Sequence, residues 1–136
     1  MKILETNRKH STLNRFRIIL GLLEGKNDIT SNNPDHALST GVDLSPATIR
    51  TFLNTLADKK LLKKEFHPGF TPPVCFVPPT PPHNEYFLIH NSIPYIKEQL
   101  VLWEASSFYD EELGAMVQEK LDNLKSKTTG EVGNDS

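Results

Sequence analysis

The sequence predicts a mainly α-helical fold with one small antiparallel β hairpin, built as a single small domain with a helical appendage. Three observations lead there. Apolar residues recur at spacings of three and four over residues 12–24, 46–60 and from 92 onward. Glycine and Ser/Asn-Pro pairs punctuate the boundaries of those stretches, and two short β-rich segments flank a proline-rich insert. A chain of 136 residues, 37% hydrophobic, has room for one core and excludes large multidomain enzymes. Its single cysteine excludes an internal disulfide and a multi-thiolate zinc site. The amino-terminal MKILETNRKH lacks the apolar centre of a signal peptide, and no apolar run approaches the length of a membrane span. A soluble, cytoplasmic protein without membrane contact is therefore expected.

Taken in order, residues 1–10 read as a flexible polar arm that carries positive charge at Arg8 and Lys9. The first helix spans 12–24: Phe16, Ile19, Leu20 and Leu23 make one apolar face, with Ser11 as N-cap and Gly25 just past the end. Asn33-Pro34 opens a short second helix that buries Ala37 and Leu38 and stops at Gly41. Ser45-Pro46 opens a third, longer helix, to about Lys60. This helix buries Ile49, Phe52, Leu53 and Leu56 and exposes Ala47, Arg50, Thr51 and Asn54. A short helix, a tight turn and a longer helix with small polar and Arg residues outside is the layout of a helix-turn-helix.

Residues 61–66 then read as a strand and 86–89 as its antiparallel partner. Between them, His67–Asn84 holds seven prolines in eighteen residues. Proline removes backbone donors and favours extended backbone, so this insert is a stiff excursion, with Val74–Val77 a candidate small strand. After the hairpin, Ser92 is the expected cap of a helix whose Ile93, Ile96, Leu100 and Trp103 form a heptad-like seam. The seam breaks near 106–109, and Ser107 is the expected cap of a second piece bearing Leu113, Val117, Leu121 and Leu124. Region 92–127 is thus expected to dimerise through those eight residues, and 128–136 to be a disordered tail.

The net charge of −2 conceals an asymmetry. Residues 1–84 carry 11 basic and 7 acidic groups, whereas residues 85–136 carry 4 and 10. A basic front and an acidic back fit a polyanion partner for the first part.

The order helix, helix, helix, strand, wing, strand, helix resembles a winged helix-turn-helix. LSPATIRTFLNTLADKKLLKKE at 44–65 is similar to the turn, recognition helix and first wing strand of bacterial and archaeal transcriptional regulators of that fold. ILGLLEG at 19–25, LSPATI at 44–49 and EYFLIHNSIPYIKEQLVLWE at 85–104 resemble the PadR-like family most, with the MarR-like family its neighbour. The likeness spans residues 11–104. It departs at the long proline-rich wing over 67–84, at KNDITSNNPDH before helix two, and at Lys60, where a glycine often ends the recognition helix.

The resemblance implies a dimeric regulator, repressor-like in style, that sets its recognition helix in the major groove of double-stranded DNA. Arg50 is the candidate base reader, because a guanidinium offers two parallel donors to guanine, a contact worth about 1–3 kcal/mol of discrimination. Thr51, Asn54 and Ala47 share its surface. Ser45, Pro46 and Thr48 stand at the helix start, where free N–H groups favour a phosphate oxygen. Lys63 and Lys64 on the wing would neutralise phosphates and make affinity fall with salt.

Other groupings carry weaker signals. His67, Cys75, His83 and His90 lack compact metal-ligand spacing, so no metal and no cofactor is expected. PPTPP at 78–82 approximates a PxxP ligand. Trp103, Phe108, Tyr109 and Met116 could line a pocket for a small-molecule effector, or simply pack. No nucleophile with a base, phosphate loop or paired catalytic carboxylates can be assembled, so no enzyme is expected. Two rival roles remain: a winged-helix module for protein contacts, and a plasmid or viral replication or partition factor.

Overall fold

The protein, described here from a computed structural model, is mainly helical with one small antiparallel sheet. The order is α1 (Lys2–Leu23), α2 (Pro46–Asp58), β1 (Leu62–His67), β2 (His83–Leu88), α3 (Ser92–Glu104) and α4 (Glu111–Asp135). Backbone is described over residues 2–31, 34–73, 76 and 79–135, and side chains over 9–31, 35–73, 76 and 79–124. No helix among these residues is long and apolar enough to cross a membrane.

Helix α1 is the central strut. Ile18 and Leu22 pack into one core cluster with Ile29, Leu38, Ile49, Leu53, Leu56, Leu62 and Tyr86. Phe16, Ile19 and Leu20 pack into a second with residues of α3 and α4. The expected single apolar face is thus only half of the helix's buried surface, as befits a helix enclosed from two sides. The helix also starts at Lys2 instead of Ser11, so the expected arm is helical over residues 2–10. Leu4, Glu5, Arg8 and Lys9 are good helix formers, and extending an existing helix is easier than starting one. The end falls as expected at Gly25, whose φ of +92° lets the Lys26 N–H reach the Gly21 carbonyl and its own N–H reach that of Leu22.

The expected second helix shrinks to one 3-10 turn, Pro34–His36. Its would-be donors turn elsewhere: the Leu38 N–H bonds the Asp28 carbonyl at 2.7 Å and the Ser39 N–H that of Ile29 at 3.0 Å. Ala37 and Leu38 are nonetheless buried as anticipated, while the proposed cap Asn33 lies outside the described residues. Asn14, wholly buried within α1, accepts from the Asp43 N–H at 2.9 Å and so fixes the turn that precedes α2.

Helix α2 begins on Ser45, whose hydroxyl accepts from the Thr48 N–H at 3.2 Å, with Pro46 at the first position. It ends on Lys60, which adopts φ +64° without being a glycine. There the Leu61 N–H reaches the Leu56 carbonyl and the Lys60 N–H that of Ala57, the same double bond pattern as at Gly25. The hairpin pairs Leu62 with Leu88 through to His67 with His83, and the register continues outward to a bridge at Phe70 and Thr80. The proline-rich insert is therefore an arm that prolongs the hairpin. Of the candidate strand Val74–Val77, Val74, Cys75 and Val77 lie outside the described residues, and Phe76 sits in a turn.

Two caps differ from expectation. Ser92 is buried inside the first turn of α3; its hydroxyl donates to the Leu61 carbonyl and accepts from the Ile89 N–H at 2.9 Å, stitching α3 to both strand ends. The break after α3 occurs where expected, but the cap of α4 is Asp110, whose carboxylate accepts from the Leu113 N–H at 2.9 Å. A carboxylate at that end also suits the helix dipole better than Ser107 would. Backbone over 128–135, expected to be a disordered tail, continues α4, each added residue contributing one helical bond at little cost once the helix exists.

The largest correction concerns the eight residues assigned to a dimer interface. Ile96, Leu100, Trp103, Leu113, Val117 and Leu121 are buried within one chain against Phe16, Ile19 and Leu20, with Ile93 packed beside them and Leu124 half-buried. The stripe is the inside of a three-helix bundle made by α1, α3 and α4. It looked unpartnered because its partner, α1, lies some 70 residues or more away in sequence.

Candidate functional site

Ile49, Leu53 and Leu56 anchor α2 from beneath. On the outward side Ser45, Pro46, Ala47, Thr48, Arg50 and Thr51 are all exposed, as expected. Four side chains are partly committed. The Thr51 hydroxyl donates to the Ala47 carbonyl at 3.0 Å, the Ser45 and Thr48 hydroxyls share a bond of 2.9 Å, and the Asn54 carbonyl accepts from the Tyr86 hydroxyl at 2.7 Å. Asn54 is accordingly half-buried and acts as a strut between α2 and β2. Its expected adenine-reading role is weakened, because one of its two acceptor positions is already filled. Burial pushes the Tyr86 hydroxyl above its ordinary pKa, opposed by the positive charge of Arg50. It therefore stays protonated, and able to donate to Asn54, at physiological pH.

The hairpin stands beside this ridge. Lys63 and Lys64 are exposed on β1, but the Lys63 ammonium lies 2.6 Å from the Glu65 carboxylate, so Lys64 carries the less compensated charge. Farther out the arm exposes Phe66, Phe70 and Phe76, at 68%, 60% and 83%. Three phenylalanines so open to water are costly, since burying one is worth about 1.5–3 kcal/mol.

Where hairpin and ridge meet, Asp28, Arg50, Phe66, His83 and Tyr86 line a cleft of about 290 Å³. In it the His83 Nε2 lies 3.3 Å from a Glu85 carboxylate oxygen and 3.6 Å from one of Asp28. The Nδ1–H donates to the Pro81 carbonyl at 2.8 Å. His67, whose Nδ1 accepts from the Gly69 N–H, stacks on His83 with ring centroids 4.9 Å apart. The Pro81 carbonyl holds the His83 imidazole above its ordinary pKa; burial opposes this, and Asp28 and Glu85 reinforce it. The Asp28 carboxyl is itself raised by burial, with His83 pulling the other way.

Behind α2, a cavity of about 160 Å³ is walled by Phe16, Phe52, Trp103 and Phe108, with Arg15 and Tyr95 at its polar side. Of the four residues weighed for an effector pocket, Trp103 and Phe108 line it. Tyr109 instead packs edge-on against Trp103, and Met116 lines a cleft shared with Arg17. Among the described residues no cluster of three or more His, Cys, Asp or Glu side chains is arranged to hold a metal.

The Asp28–His83–Glu85 group was missed by sequence reasoning, which weighed His67 and His83 only as metal ligands. The spacing of His83 and Glu85, two apart on a strand, was a usable signal. Nothing local announced Asp28, which arrives because the Asn27 carbonyl accepts from the Tyr86 N–H at 2.9 Å. Set against known proteins, the chain matches no family model, no curated protein and no solved structure.

Proposed function

We propose that the chain is a winged-helix protein that binds double-stranded DNA sequence-specifically, with α2 as recognition helix, and acts as a transcriptional regulator in the cytoplasm. The observation that carries this reading is the exposed ridge of α2, Arg50 and Thr51 outward over buried Ile49, Leu53 and Leu56, next to a protruding hairpin. A backbone bond from the Tyr86 N–H to the Asn27 carbonyl, 2.9 Å long, ties the segment after α1 to the hairpin. Among the described residues Arg50 makes no hydrogen bond or ion pair, which leaves it to read bases; Lys64, and Lys63 after release from Glu65, hold phosphates. One chain presents one such surface, and the buried α3–α4 stripe no longer argues for a homodimer. The cavity behind α2 is where a small-molecule effector would sit, since Phe52 belongs to the recognition helix itself.

Fluorescence anisotropy on duplexes at low salt tests the reading. Wild type should bind, with affinity falling as salt rises. Arg50→Ala should cost about 1–3 kcal/mol on the preferred sequence and little on random duplex. The double variant Lys63→Ala/Lys64→Ala should weaken binding to all duplexes alike and flatten the salt slope. Equal binding by all three proteins would overturn the assignment.

The exposed Phe66, Phe70 and Phe76 favour a second reading, a winged-helix module whose arm contacts another protein. It predicts no duplex binding even at low salt.

A further inference from the structure

Resting on the DNA-binding reading, we propose that His83 is a proton-operated clamp at the outer end of the β1–β2 ladder, where the arm begins, which makes duplex binding tighter at acidic than at alkaline pH. Its position carries the inference. A single imidazole nitrogen faces carboxylates from two different elements, Glu85 of β2 at 3.3 Å and Asp28 of the segment after α1 at 3.6 Å. The other nitrogen is fixed by the Pro81 carbonyl and leaves the ring no alternative orientation without losing that bond. Only the imidazolium carries a proton on both nitrogens, and so only it can donate towards the carboxylates while keeping the Pro81 contact.

Every charged neighbour matters to the sign. From α2, Arg50 shares the cleft with His83 and Asp28. From β1, His67 stacks on His83, and Glu65 stands opposite Glu85 in the register with its charge met by Lys63. With His83 protonated, the trio of Asp28, Glu85 and His83 carries one net negative charge beside Arg50. Deprotonation raises that to two. The carboxylates then repel each other, the tie between the Asp28 segment and the hairpin loosens, and a phosphate approaching Arg50 meets a more negative surface. Because the folded-state pKa is raised, the clamp is closed below the ordinary imidazole range and opens as pH rises through the raised value.

The test is duplex affinity by anisotropy at constant low salt from about pH 5.5 to 8.5, a range spanning the imidazole transition. It uses the full-length wild type, His83→Gln and the double variant Asp28→Asn/Glu85→Gln, with the His83 ring titrated by NMR without DNA. Wild type should weaken by about five- to tenfold across the range, the effect of one charge a few ångströms from a phosphate. His83→Gln should be nearly flat at the weak level, and the double variant should keep a slope whose midpoint moves to lower pH. In the double variant the ring should also titrate at lower pH than in wild type. A wild type that binds duplex equally at every pH, or a His83→Gln that keeps the full slope, overturns the clamp and leaves DNA binding standing. A wild type that binds no duplex at any pH overturns the DNA reading and with it the clamp's effect on binding. A ring titration indifferent to the loss of both carboxylates overturns the clamp itself.

Discussion

At the scale of single residues, Lys60 is the clearest local conflict. The end of α2 needs a left-handed residue to bring the Leu61 N–H back to the Leu56 carbonyl, and a lysine is held there at φ +64°. A side chain with a Cβ costs roughly 1–2 kcal/mol in that region, which glycine avoids at the price of a more flexible unfolded chain. Lys60→Gly should therefore raise unfolding stability by about 1 kcal/mol in urea titrations; a decrease would mean that the lysine side chain makes a contact of its own. Lys60 thus takes the left-handed geometry that Gly25 takes at the end of α1, without being a glycine. Its carbonyl accepts from the Asn91 side chain at 3.1 Å, one of the contacts that holds the turn against its strain.

At the scale of elements, the α3–α4 stripe separates a core from an interface. Val117 and Leu121 are completely buried against α1 within one chain. Leu121→Ala should cost about 2–5 kcal/mol, the range for a large-to-small change in a packed core. Val117→Asp should abolish the cooperative thermal transition followed by circular dichroism, because an unpaired carboxylate would be buried in an apolar bundle. If the stripe joined two subunits instead, Val117→Asp would give a folded monomer with a sharp transition. Sequence spacing found the stripe and its break near 106–109, but periodicity identifies a buried face without saying what covers it. The helix at 34–40 failed for a related reason: its donors were claimed by Asp28 and Ile29, and that pairing has no local signature.

At the scale of the whole molecule, the two core clusters share α1, so the hairpin end and the α3–α4 end are mechanically joined. Charge is unevenly spread over this frame, and the basic front half contains the α2 ridge and Lys63 and Lys64. Stability should respond to pH through His83. Its pKa is raised on folding, so the native state binds the proton more tightly than the unfolded chain does, and stability is lost as pH climbs from the ordinary imidazole range through the raised value. The urea midpoint should accordingly fall over that window in wild type and change less in His83→Gln. A wild-type midpoint that rises instead would contradict the sign of the coupling.

Legible from the sequence alone were the helix class, the boundaries at Gly25 and Ser45, the buried face of α2 and the pairing of two short strands. Each is written in residues close together along the chain, as caps, turn formers and apolar spacing. Long-range packing settled the rest: α1 is buried on two sides, Asn54 is tied to Tyr86, the C-terminal stripe faces inward and Asp28 meets His83. Those outcomes join residues tens of positions apart, and they follow from which surfaces remain to be covered once every local element has formed.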